Sequence, residues 1–134
     1  MHPLRALRES GIHSAEKIRP ILAEGIVFNS PILTRPLLGA EMVSAVLAAS
    51  ALARGVGGQY VAEYRVDPVT TILRWQGSIQ GHLLESIEIL VDDANGFLVE
   101  RTIAYRPLPA VEIFRDVLRP LIRDIVPTDV WAYV

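Results

Sequence analysis

The chain contains no cysteine. That excludes a disulfide framework, thiolate catalysis and cysteine-based metal sites. Its three histidines, His2, His13 and His82, have none of the spacings that hold a metal ion. No metal and no cofactor are expected. Lysine is nearly missing: 12 of the 13 basic residues are arginine, scattered without a basic run or interleaved aromatics. With a formal net charge of −2, nucleic acid is not an expected partner. The longest nearly apolar stretch, MVSAVLAASALA at 42–53, has 12 residues, whereas a membrane-spanning helix needs about 20. Residues 1–10 lack the apolar stretch of a secretory leader. The expectation is a soluble cytoplasmic protein with no membrane partner.

What is present is a globular composition, 51% hydrophobic and 21% charged over 134 residues, the size of one domain. Residues 3–9 suit a short helix ending at Gly11. Ser14 caps a second helix, AEKIRPILAE, interrupted by Pro20. IVFN at 26–29 is a strand and SPILTRP a loop. Residues 40–53 form a helix with Met42, Val43, Val46, Leu47 and Leu52 as its buried stripe. From Gln59 the period changes to two. QYVAEYRV, TTILRWQGSI, HLLESIEILV and FLVERTIAYR are separated by Asp67-Pro68, Gln80-Gly81 and Asn95-Gly96. These short connections predict an antiparallel meander. VEIFRDVLRPLIRDI at 111–125 is a last amphipathic helix with Pro120 inside it. The order implies one α+β domain over 1–134: a curved antiparallel sheet with helices across its concave face, enclosing a small-molecule pocket.

Register decides which side chains enter that pocket. With Gln80-Gly81 as a two-residue turn, Gln76 faces Glu85 and Arg74 faces Ile87. With Gly96 closing the next turn, Ile89 faces Arg101, Ile87 faces Ile103 and Glu85 faces Tyr105. Arg74, Gln76, Glu85, Arg101 and Tyr105 then form a polar group inside an apolar rim. Trp75, Ser86, Glu88, Glu100 and Thr102 fall on the opposite face, which suits a dimer contact. Glu85 is the candidate general base, with Tyr105 or Arg101 facing a developing oxyanion. Arg74 and Arg101 suit a carboxylate or enolate, and Asn29 is a ligand-orienting or capping residue. An ion-pair network that merely closes the sheet is the alternative.

The stretches LAEGIVFNSP (22–31), the P-x-x-G-A-E-M-V helix start (36–43) and LLESIEILVDDANGFLVERTIAYRPL (83–108) resemble the nuclear transport factor 2-like (SnoaL-like) superfamily. The likeness is strongest to a bacterial branch carrying F-x-S-P, L-E-G-I-D, D-G-R-I and R-P-L. Here these read Phe28-Asn29-Ser30-Pro31, Leu84-Glu85-Ser86-Ile87-Glu88, Asn95-Gly96-Phe97-Leu98 and Arg106-Pro107-Leu108. The resemblance implies a cone-shaped, cystatin-like fold, homodimers packed through the sheet, and activities from simple binding to isomerases, cyclases and epoxide hydrolases. It also implies an Asp on the last strand for the cyclases and hydrolases, where Ile103 stands. For the hydrolases it implies an Arg-x-Asp pair, matched by Arg74 but with Gln76 in place of the Asp. An epoxide hydrolase is therefore disfavoured. Two classes stay open: a binder of a small organic carbonyl or acidic ligand, and a cofactor-independent isomerase, cyclase or lyase using Glu85. A pocket filled by side chains would instead signal a protein-interaction module. The tail PTDVWAYV is expected to fold back over a pocket mouth or a dimer partner.

Overall fold

The computed structural model describes all 134 residues. It contains α1 (Pro3–Glu9), α2 (Ala15–Ile18), β1 (Leu22–Asn29), β2 (Leu37–Leu38), α3 (Ala40–Arg54), β3 (Gln59–Arg65), β4 (Thr70–Ile79), β5 (His82–Asp92), β6 (Leu98–Arg106) and α4 (Leu108–Ile122). The six strands form one sheet in the order β2-β1-β6-β5-β4-β3. β3 to β6 are the expected meander. β1 joins its edge parallel to β6, and β2 pairs antiparallel beyond it. The helical reading of 15–24 is corrected: Pro20 ends α2 in a single 3-10 turn, and Leu22 already belongs to β1.

The helices cover one face of the curved sheet. α4 buries Ala110, Phe114, Leu118 and Ile122, a spacing of four that lines one helical face. α3 buries Ala40, Val43, Val46, Leu47 and Ala51. Leu52 does not join this stripe. It is 72% exposed, because it lies on the opposite side of the turn from Ala51 and Arg54. The C-terminal tail folds back and buries Trp131 and Val130. Thr34 N–H donates to the Val130 carbonyl (3.0 Å), and the Tyr133 hydroxyl donates to the Ile32 carbonyl (2.6 Å). The tail thus closes on the 30–36 loop of its own chain.

α1 is tied down at two points. His2 Nδ1 accepts the Leu4 N–H (3.1 Å) and caps the helix, which leaves the Nε2 proton for Asp92 at the end of β5 (2.9 Å). Arg5 reaches Glu63 on β3 (3.3 Å) and Glu9 one turn on (2.8 Å). These anchors hold α1 across the wide end of the cone and aim Arg8 into it.

The β4–β5 register is the expected one: Ile79 pairs with His82, Gln76 with Glu85 and Arg74 with Ile87. Gln80 and Gly81 both have positive φ (48° and 80°), the conformation of a two-residue turn that matches strand twist. The β5–β6 register departs from expectation. Asp93 N–H does donate to the Phe97 carbonyl (2.8 Å), and Asp92 pairs with Leu98. Val91, however, pairs with Glu100. The extra residue, Val99, forms a bulge that shifts the rest of β6 by one position. Arg101 therefore pairs with Leu90, Ile103 with Glu88, Tyr105 with Ser86 and Arg106 with Glu85. One such step exchanges the two faces of the strand.

Candidate functional site

The shift divides the expected polar group. Arg74, Gln76 and Glu85 lie on the outer face, away from the helices. There the Gln76 amide donates to Glu85 Oε1 (2.7 Å) and Arg106 pairs with Glu85 Oε2. Arg106 holds the Glu85 carboxyl below its ordinary value. Glu85 is thus no inward base beside Tyr105 and Arg101. The hollow it shares with Arg74, Gln76 and Arg106 encloses only about 140 Å³. Asn29 is also turned outward and donates to Thr102 Oγ1 (2.9 Å). Ile87 and Ile89, expected in the pocket rim, are 51% and 42% exposed on this face. Of the proposed ligand-binding residues, Arg101 and Tyr105 alone face the helices.

The inner face carries a different set. Tyr60, Trp75, Ser86 and Tyr105 form one rung across β3, β4, β5 and β6. Trp75, Ser86 and Glu88, expected on the opposite face from the pocket, are all buried here. Leu73, Glu88 and Ile103 form the rung below, and Leu90, Arg101 and Phe28 the next. Arg101 reaches back diagonally to Glu88. Its Nε and Nη2 both donate to Glu88 Oε1, at 2.9 and 2.7 Å. Its guanidinium lies over the Phe28 ring, 5.2 Å from the centroid. Neither side chain of the pair reaches solvent. Tyr105 meets Phe114 of α4 edge-on at 4.9 Å.

Around this pair several buried polar atoms have no partner: Glu88 Oε2, Ser86 Oγ, the Tyr60 hydroxyl and Arg8 Nη1. Native interiors leave few such atoms, and Arg8 and Tyr60 lie close enough to each other to interact. Burial, reinforced by the Glu88 charge, pushes the Tyr60 phenol up to about 12. Burial raises the Tyr105 phenol still further. Both are hydrogen-bond donors at neutral pH. Burial works against the Arg8 cation, but nearby Tyr60, Glu88 and Tyr105 outweigh it and hold Arg8 above its ordinary value.

Above the rung lies an open pocket of about 430 Å³ at the wide end of the cone. Arg8, His13, Arg54, Tyr60, Trp75 and the 55–58 loop line it. Trp75 fits because two glycines make room for its indole. A Cβ on Gly58 would sit 2.0 Å from the ring, and one on Gly77 2.3 Å from it. Arg54, the last residue of α3, lies over the same indole at 4.9 Å. Sequence reasoning missed Arg8, Arg54, Tyr60 and Glu88 as site residues. The available signal was the pair of glycines, 58 just before β3 and 77 on β4, that leave room for the Trp75 indole.

No protein-family model matches the chain, and no curated protein matches it in sequence. Solved structures do match. An uncharacterized protein conserved in bacteria with a cystatin-like fold, from Silicibacter pomeroyi DSS-3, superposes with a TM-score of 0.82 at 19% identity, over 92% of this chain and 87% of the other. A steroid delta-isomerase from Pseudomonas aeruginosa gives 0.79 at 18% identity, over 90% of each chain. A SnoaL-like protein of unknown function from Burkholderia thailandensis E264 gives 0.62 at 16% identity, over 78% and 90%. The fold is cystatin-like, of the nuclear transport factor 2 type. At these identities the likeness fixes the architecture, and activity must be argued from the site. No helix is long and apolar enough to cross a membrane.

Proposed function

We propose that the protein binds a small organic molecule in the wide mouth of its cone. The ligand's polar end meets Tyr60 and Arg8, and its body lies along Trp75. One observation carries this reading: the pocket above Trp75 borders buried donors, Arg8 Nη1 and the Tyr60 hydroxyl, that have no partner. Its volume lies within the range of small-molecule sites, about 300–1,000 Å³. Ligand-observed NMR against a panel of one- and two-ring acids, ketones and alcohols tests it. Some members bind the native protein and lose affinity at least tenfold with Tyr60→Phe or Trp75→Leu. A panel that binds nowhere, or binds the variants equally, refutes the reading.

The protein works, on this reading, as a cytoplasmic homodimer. The outer face supports that assignment, since Ile87 and Ile89 stand exposed on it beside Ile72 and Ala104. A second copy is the occupant we assign to it. Ile87→Lys should shift a dimer to monomer in sedimentation equilibrium.

A second reading is cofactor-independent proton transfer of the isomerase, cyclase or lyase type. The free oxygen of Glu88, on the buried face, supports it, as does the similarity in fold to a steroid delta-isomerase. The candidate base is then Glu88, buried one rung below Trp75, rather than Glu85 on the outer face. Turnover of a bound ketone lost in Glu88→Gln and kept in Glu85→Gln separates the two carboxylates. Binding without any turnover leaves the first reading alone.

A further inference from the structure

The cone mouth holds two arginines with no carboxylate in direct ion-pair contact. The chain's arginine ion pairs involve Arg5, Arg19, Arg35, Arg101, Arg106 and Arg115, and neither Arg8 nor Arg54. Arg54 is only 7% exposed, and its Nε and Nη1 are buried with no acceptor. The one acidic residue that lines the pocket, Glu9, is already bound to Arg5 at 2.8 Å. A buried guanidinium without an acceptor is costly. Stacking on Trp75 offsets part of that cost, since cation–π contacts contribute about 0.5–2 kcal/mol, but it leaves the in-plane N–H groups unmet. Those N–H groups and the Tyr60 hydroxyl are all donors at neutral pH. A group that satisfies them together is an acceptor bearing negative charge. A planar carboxylate suits guanidinium groups well.

We propose that Arg54 and Arg8 form a carboxylate subsite at the cone mouth, so that the ligand is an organic acid with a flat apolar body lying against Trp75 and Tyr60. This inference rests on the ligand-binding reading and narrows it to one chemical class. The apolar body follows from Ala51, Val56 and Trp75, the apolar side chains that line the pocket beside the cations. Gly58 and Gly77 hold the indole in place, and the indole holds Arg54, so the subsite is built from the sheet upward rather than from mobile surface chains.

The test is a matched set of probes: 2-naphthoate, 2-naphthamide and inorganic phosphate, titrated by calorimetry into the intact chain and into Arg54→Gln. Naphthoate should bind at least tenfold more tightly than naphthamide, and its affinity should fall as salt is raised. Arg54→Gln should remove that preference. An independent readout needs no ligand. An unsatisfied cation destabilises the empty protein, so Arg54→Gln should raise the melting temperature or leave it level. A structural role on Trp75 predicts a fall. Equal binding of acid and amide, or an Arg54→Gln variant that keeps the preference, overturns the carboxylate subsite and leaves the ligand-binding reading standing. Phosphate binding as tightly as naphthoate overturns the organic-acid assignment. Failure of every probe, neutral and charged, would count against both proposals.

Discussion

Replacing Arg101 by methionine should be among the most damaging single changes in this protein. The Glu88 carboxylate is wholly buried, and both hydrogen bonds to its Oε1 come from Arg101. Its other oxygen already has no partner. Arg101→Met keeps most of the volume over Phe28 but leaves a bare carboxylate in an apolar layer. Breaking a buried pair in this way costs about 3–5 kcal/mol. Unfolding entropy of about 2 cal/mol/K per residue, taken over the whole chain, turns that into a fall in melting temperature of about 10–18 °C. The double variant Arg101→Met with Glu88→Leu should recover nearly all of it, because apolar replacement of both partners removes the desolvation cost along with the attraction. Urea unfolding of the native protein, both single variants and the double variant closes the cycle. A single-variant loss below about 1 kcal/mol would place Glu88 in a solvated environment and refute the reasoning, since exposed pairs contribute no more than that. A double variant as unstable as Arg101→Met would refute it equally.

Three further outcomes follow from the geometry. Gly58→Ala should cost about 1–3 kcal/mol through overpacking and shift Trp75 fluorescence, since the new methyl group would start 2.0 Å from the indole. An unchanged emission spectrum would show that the ring is free to move. Glu85→Gln should cost stability at neutral pH, and the difference should vanish as pH falls through the carboxylate range. Arg106 depresses the folded value, so the contribution is present above the unfolded value and is lost as Glu85 protonates; unfolding curves at several pH values would expose a constant difference. In a spectroscopic titration Tyr60 should ionise near pH 12. Its raised value implies stability retained below the ordinary phenol range and lost as pH climbs through the folded value. A Tyr60→Phe difference spectrum that titrates in the ordinary phenol range contradicts the burial argument.

The fold was legible because its signals are local. Gln80-Gly81 marks a turn, and the period of two across β3 to β6 marks strands. Pro20 marks a break, but the helical reading of 15–24 ran past it. The faces of β6 were not legible. Leu98 and Val99 are both apolar, so alternation does not reveal which of them is extra, and the bulge forms where the pattern is blind. β5 compounds the difficulty. It carries Leu84 and Leu90 inward and Ile87 and Ile89 outward, so hydrophobicity alone does not choose its buried side. The expectation followed the β-branched residues, which lie on the outer face. Charge carried the better signal: only with Glu88 and Arg101 on one face does the buried glutamate gain an arginine. Arg8 and Arg54 lie far apart in sequence, and what brings them together is the anchoring of α1 by His2 and Arg5. No motif records that contact.

The most direct test of the account is a chemical-shift map of the protein titrated with 2-naphthoate. The account predicts that the signals that move are the Trp75 indole N–H, the Arg54 and Arg8 side-chain N–H groups, and the backbone of 55–60. Arg74, Gln76, Glu85 and Arg106 should stay still. Movement confined to those four residues would put the ligand on the outer face of the sheet and contradict the assignment of the cone mouth.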